Sequence, residues 1–122
     1  MNDMKKSEYL ERLGDVAIDE KRANKVKEIY SKDLPDVILK IVTIAGESEF
    51  FDDGTRILSY QEIIDAENDL HVAFSQYSII PVADCGENDF IIYNYADGYW
   101  AKFNIIDESI FKKKKKISEL LV

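Results

Sequence analysis

Two runs of β-branched and aromatic residues in the second half of the chain constrain its fold most strongly. Phe90 to Tyr95 and Tyr99 to Ile106 have the composition of strands, and Asp97-Gly98 lies between them. A tight primed turn requires positive φ, which glycine adopts without steric cost, so this arrangement predicts an antiparallel hairpin. Both alternating sets of side chains in the first run are largely apolar, which predicts cover on both faces of that strand.

Helical patterns precede these strands. Apolar residues recur at helical spacing in two stretches up to about Lys32, and again after Pro35, where the predicted helix stops at Gly46. Ser59 and Glu62 have the spacing of a capping box and predict a helix that ends close to His71. Further predicted elements are short strands at Phe50-Phe51, Arg56 to Leu58 and Ile79 to Ala83, a turn at Asp52-Asp53-Gly54, and a final helix within Asp107 to Val122.

The order of these elements, helices first and then a strand meander, predicts an α+β fold with a central, mostly antiparallel sheet wrapped by helices. A chain of 122 residues without a linker or an internal repeat predicts one domain, residues 1–122. The polar start, the single cysteine Cys85 and the absence of a long apolar stretch predict a cytoplasmic protein.

Charge is distributed unevenly along the sequence. The net charge is −8, and residues 47–97 hold twelve acids but one base, Arg56. This balance opposes binding to nucleic acid or to an anionic membrane and favours a basic protein partner. Each acid alone is most simply a solubilising group, but grouped on one side of the domain they would attract a cationic protein. The acids predicted to form that partner-binding surface are Asp52, Asp53, Asp65, Asp69, Glu87 and Asp89.

The run Lys112 to Lys116 is the opposite feature. Late in the predicted final helix, these lysines would suit the negative end of the helix dipole. A contact with nucleic acid or phospholipid is the alternative interpretation, and the negative charge of the remaining chain opposes it.

Catalytic and metal-binding patterns are weak. His71 and Cys85 are the only residues of their types, so a zinc site would need carboxylates for its other ligands. The segment Asp84 to Asp89 lacks the 12-residue calcium-loop pattern and predicts an acidic turn between strands. The sequence therefore predicts no catalytic residue, no metal and no cofactor, and a carboxylate-dependent hydrolase is the enzyme alternative.

Three segments, taken in order, carry a family resemblance. They are Leu34-Pro35 opening an apolar helix, Arg56 to Ile63, and Ile80 to Phe90. Together they resemble the SUKH superfamily, which includes bacterial immunity proteins, Syd-like proteins and cell-wall assembly regulator-like domains. The glycine-poor segment after Gly46 departs from the family pattern. The matching positions are Leu34, Pro35, Ser59, Glu62, Ile63, Pro81, Gly86, Asp89 and Phe90.

This resemblance implies a sheet wrapped by helices, no catalytic residues, and the neutralisation of a cognate polymorphic toxin, often a nuclease. The matching residues act as caps, turns and core, so they indicate the fold rather than the contact surface. Together with the excess of acids in residues 47–97, the resemblance predicts an immunity protein that occludes a basic toxin domain. A non-catalytic interaction or regulatory module of the cell-wall assembly regulator-like type is the alternative.

Overall fold

The computed structural model describes residues 5–46 and 49–121, which form an α+β fold with one antiparallel sheet, as predicted. The sheet is a meander in which each strand pairs with its neighbours in sequence, in the order β1 to β6. Short 3-10 helices lie at Phe74–Tyr77 and Ile117–Glu119. The elements are α1 (Lys6–Asp15), α2 (Glu20–Ile29), α3 (Asp36–Ile44), β1 (Glu49–Phe50), β2 (Arg56–Ile57), α4 (Tyr60–Leu70), β3 (Ile79–Gly86), β4 (Asp89–Asn94), β5 (Tyr99–Asn104) and β6 (Ile110–Lys114).

The β4–β5 hairpin is antiparallel, as predicted, but its turn is longer than a two-residue primed turn. Residues 95–98 connect the strands, and Gly98 has a φ of 74°. The Asn94 side chain stabilises this loop, because its Oδ1 accepts hydrogen bonds from the amides of Ala96 and Asp97 at 3.0 and 2.8 Å. Asp97-Gly98 correctly predicted the reversal of the chain, while hydrogen bonds to the Asn94 side chain stabilise a four-residue loop at 95–98.

Strand β4 is buried on both faces, as its composition predicted. Phe90, Ile91 and Ile92 are each at most 4% exposed. On one face, the Phe103 ring of β5 packs against Phe74 of the first 3-10 helix, with ring centroids 5.8 Å apart. Pro81 of β3 is tolerated inside the sheet because it lies beside a β-bulge, where the ladder is already interrupted.

The end of α3 differs from its prediction. The helix ends at Ile44, and Gly46 does not adopt the left-handed conformation of a glycine stop. Instead, the Arg22 guanidinium of α2 donates to three carbonyls at this end, those of Val42, Thr43 and Ala45, at 2.9 to 3.3 Å. A side chain distant in sequence therefore satisfies carbonyls that the helix leaves unpaired, which removes the need for glycine.

Helix α4 begins and ends as predicted. Ser59 and Glu62 form the capping box, with the Glu62 amide donating to Ser59 Oγ at 3.1 Å and the Ser59 amide donating to Glu62 Oε1 at 2.9 Å. His71 follows the helix in the left-handed conformation, with a φ of 56°. The sole histidine therefore lies at the end of a helix as an exposed cap residue.

The predicted final helix is wrong, because the chain forms edge strand β6 and a 3-10 turn there. Asp107 Oδ1 accepts hydrogen bonds from the amide and the hydroxyl of Ser109 and so stabilises the β5–β6 turn rather than the start of a helix. Lys112 has a φ of 55° within a β-bulge that opposes β5. Pairing with β5 overrides the helical preference of the lysine run.

Candidate protein-binding surface

Three turns of the meander lie at the same end of the sheet. Arg56 at the start of β2 pairs with Asp84 near the end of β3, so the β1–β2 and β3–β4 turns are neighbours. The β5–β6 turn joins them, because the Ile105 amide donates to the Asn88 carbonyl at 2.9 Å. Carboxylates far apart in sequence thus meet in one region. We call this set the acidic sheet end: Asp52, Asp53, Asp84, Glu87, Asp89, Asp107 and Glu108.

The β3–β4 turn is the centre of the acidic sheet end, and the prediction of an acidic turn between strands is confirmed. Gly86, Glu87 and Asn88 all have positive φ, and Asp84 Oδ1 accepts the Gly86 amide at 2.8 Å. Asp89 Oδ1 accepts from Asn104 at 2.9 Å, which ties the turn to β5. Asp84 and Asp89 therefore hold the turn, while Glu87 is exposed to solvent at its tip.

The β1–β2 turn presents two adjacent carboxylates with different roles. Asp52 is exposed, whereas Asp53 forms an ion pair with Lys6 of α1 at 2.6 Å. The hydrogen bonds from Lys6 and from the Thr55 amide lower the pKa of the Asp53 carboxyl to about 2. Asp53 therefore links the start of α1 to the β1–β2 turn, and Asp52 is the freer contact group of the two.

The Lys6–Asp53 pair predicts a small loss of stability in acid. Because the folded-state pKa of Asp53 is depressed, its contribution is complete above the ordinary value of 3.8 and is lost as the pH falls toward 2. The pair is partly exposed, so we expect Asp53→Asn to cost less than about 1 kcal/mol at neutral pH. Urea unfolding at several pH values measures this difference. In a Lys6→Met background the cost of Asp53→Asn should shrink, and an unchanged cost would contradict the assigned cause.

Helix α4 carries the two remaining predicted acids, and they have different surroundings. Asp65 Oδ2 accepts from Gln61 Nε2 at 2.6 Å, one turn back on the same helix. Asp69 is exposed and lines a cleft between α4 and the sheet, together with Asp84. The structure therefore connects Asp69 to the acidic sheet end through this cleft, while Asp65 lies one helical turn away.

Arg56 is the one base among residues 47–97, and it forms ion pairs within the protein. Its Nη1 lies 2.6 Å from Glu62 Oε1, and its Nη2 lies 3.7 Å from Asp84 Oδ2. Both carboxylates raise the pKa of the guanidinium, with the Glu62 hydrogen bond as the largest cause. The ion pairs described for this cation are thus with Glu62 and Asp84, and none of them is with Asp52, Asp69 or Glu87.

Sequence reasoning missed Asp107 and Glu108 as members of the acidic sheet end. Hydrogen bonds from Ser109 lower the pKa of the Asp107 carboxyl, and Glu108 accepts the Tyr77 hydroxyl. Both residues are exposed in the β5–β6 turn. Assigning Ile110 to Lys114 as a strand would have placed them correctly, since the turn of a β5–β6 hairpin lies at this end of the sheet.

The chemistry around Cys85 does not favour a nucleophile. Burial raises the pKa of the thiol; Lys102 opposes that shift, and Asp84, Asp89 and Asp53 add to it. A reactive cysteine requires the opposite shift, because the thiolate is the attacking species. In residues 5–46 and 49–121, no three His, Cys, Asp or Glu side chains are placed to share a metal ion.

The lysine run lies away from the acidic sheet end. Strand β6 starts opposite Phe103 and continues to Lys114, which is opposite Trp100 toward the other end of β5. Lys113 Nζ lies 4.9 Å from the centre of the Tyr99 ring, a cation–π distance. Lys114 therefore lies toward the end of β5 that is opposite the acidic turns.

Comparison with known proteins adds no relative to this description: no family model matches the chain, and neither curated proteins nor solved structures give a significant match. Across the ranges that the structure describes, no helix has the length and apolar character needed to cross a bilayer.

Proposed function

We propose that this protein is a bacterial immunity protein that binds and neutralises a cognate polymorphic toxin by occlusion, without catalysis of its own. The convergence of three acidic turns at one end of the sheet is the observation that carries this proposal. The SUKH resemblance of the sequence supports the same function. The partner is a cytoplasmic toxin domain with a basic surface, and a nuclease fits this description best.

The mechanism of inhibition follows from the charge of a nuclease site. Such a site holds phosphates with lysine and arginine side chains, so its surface is positive where the substrate binds. A compact anionic surface is attracted to that region and excludes nucleic acid once it has docked. Asp52, Glu87 and Asp69 are exposed carboxylates suited to this contact.

The direct test is capture of the partner followed by an inhibition assay. The tagged protein is used to retain binding proteins from a lysate of the native cells, and mass spectrometry identifies them. Recovery of a protein with a basic toxin domain, whose activity the purified chain then inhibits in stoichiometric amounts, supports the proposal. Recovery of endogenous regulatory or envelope proteins alone favours the interaction module instead.

Salt dependence tests whether the acidic sheet end steers the encounter. Exposed charges are screened beyond about 8 Å at physiological ionic strength, so an electrostatically assisted association slows as salt is added. We expect the association rate constant with the captured toxin to fall by about tenfold or more between 20 mM and 500 mM NaCl, on the order expected for steered complexes. The dissociation rate constant serves as the internal control, because it should change much less. An association rate that is independent of salt would remove steering from the mechanism.

A further inference from the structure

The cleft between α4 and the sheet combines an apolar interior with carboxylates at its mouth. Leu58, Ala66 and Phe90 line it and are at most 4% exposed, and the partly exposed Leu70 lies beside them. The polar lining residues come from three different elements: Arg56, Glu62, Asp69 and Asp84. This lining provides both a hydrophobic surface and negative charge within one narrow space.

The charge balance of the cleft favours a cationic occupant. Three carboxylates face one guanidinium, and Arg56 is already committed to Glu62 and Asp84 through its two contacts. Asp69 lies on the same cleft and makes no contact with Arg56 among those described. An ammonium group entering the cleft would thus find negative charge that the fold itself has not compensated.

Size distinguishes between the two basic side chains. The cleft is narrow, with a volume of about 70 Å³. A lysine side chain is an unbranched stem that ends in a compact ammonium group, whereas the guanidinium of arginine is a broader planar fork. Lysine also buries its methylenes against apolar surface and keeps its charge at the polar rim.

We propose that this cleft is an anchor site for one lysine side chain of the basic partner protein. The methylenes pack against Leu70 and the small exposed parts of Leu58 and Phe90, and the ammonium pairs with Asp69. This inference rests on the proposed function in that it assigns the lysine to the toxin, and it adds a specific pocket to a surface otherwise defined by charge. Interfaces commonly concentrate their binding energy in such filled pockets.

A titration with short peptides tests the cleft without any toxin. The probe is acetyl-glycyl-lysyl-glycinamide, added to the isotopically labelled protein while backbone amide shifts are followed by NMR. We expect saturable shifts centred on Asp69, Leu70 and Asp84, with a dissociation constant in the range of about 1–10 mM. The same peptide with norleucine in place of lysine retains the apolar stem but lacks the charge, and should bind at least about tenfold more weakly.

Two conservative variants provide the matched comparison. Asp69→Asn should weaken lysine-peptide binding by about fivefold or more, because it removes the pairing charge from an exposed residue that the fold does not need. Asp65→Asn, one turn away on α4 and outside the cleft, should leave binding within about twofold of the wild type.

Several results would overturn the anchor site. They are equal binding of the norleucine peptide, equal weakening by both variants, shifts centred outside the cleft, or no saturation at all. Since the titration contains no toxin, a failed capture experiment leaves its result standing. Conversely, an empty cleft would not alter a positive inhibition assay.

Discussion

Reversing two charges at the acidic sheet end, with Asp52→Lys and Glu87→Lys together, should lower the association rate constant with the toxin by about 10- to 100-fold at low ionic strength. The expectation follows from the range over which electrostatic steering changes encounter rates. Both residues are exposed at turn tips, and Glu87 already has a positive φ that lysine tolerates no worse than glutamate. The folded structure should therefore persist, and stopped-flow mixing with the captured toxin measures the rate.

A second double variant separates position from net charge. Glu28→Lys with Asp97→Lys changes the total charge by the same amount, but Glu28 lies on α2 and Asp97 lies in the β4–β5 turn at the opposite end of the sheet. At physiological ionic strength, where the Debye length is about 8 Å, we expect this variant to slow association by less than about threefold and the Asp52→Lys/Glu87→Lys variant to slow it clearly more. Equal slowing by both double variants would mean that net charge, rather than the acidic sheet end, governs the encounter.

Truncation of Phe103 to alanine should produce a large loss in the free energy of unfolding. Its side chain is 1% exposed and packs against Phe74 and Tyr77 of the first 3-10 helix, with ring centroids 5.8 and 6.3 Å away, while Phe90 lies opposite it on β4. Phe103→Ala leaves a cavity where the first 3-10 helix meets the sheet, and such changes cost about 3–5 kcal/mol. This is a large part of the stability of an ordinary domain, which is about 5–15 kcal/mol.

Urea unfolding followed by circular dichroism measures the Phe103 effect. The control is Ile106→Ala, because Ile106 is 73% exposed and its truncation should change the free energy of unfolding by less than about 0.5 kcal/mol. A loss below about 1 kcal/mol for Phe103→Ala would contradict the central position of this ring in the core.

Local signals in the sequence predicted α1 to α4 and most strands correctly. Pro35 directly precedes α3, and Ser59 with Glu62 caps α4, because these residues act on neighbours within one turn. The unbroken apolar run Phe90 to Ile92 likewise indicated burial on both faces of β4. Such signals work wherever the partner groups are close in sequence.

The errors arose where a distant partner decided the structure. Arg22 supplies the cap of α3 from another helix, and pairing with β5 makes a strand of lysines that would otherwise favour a helix. Because the β5–β6 hairpin was not predicted, Asp107 and Glu108 were not assigned to the acidic sheet end. By contrast, Asp52, Asp53, Glu87 and Asp89 do lie at one end of the sheet; their role in binding remains a prediction.

Strand β6 and the two-residue strand β1 are the two borders of the sheet, and both are poor templates for further strands. Strand β1 is too short to extend the ladder, while exposed lysines and a bulge cover β6. A second molecule aligned along β6 would bring two lysine runs side by side, and their mutual repulsion disfavours this arrangement. The lysine run thus protects the protein from edge-to-edge aggregation, so the chain can accumulate to high concentration without forming intermolecular sheets.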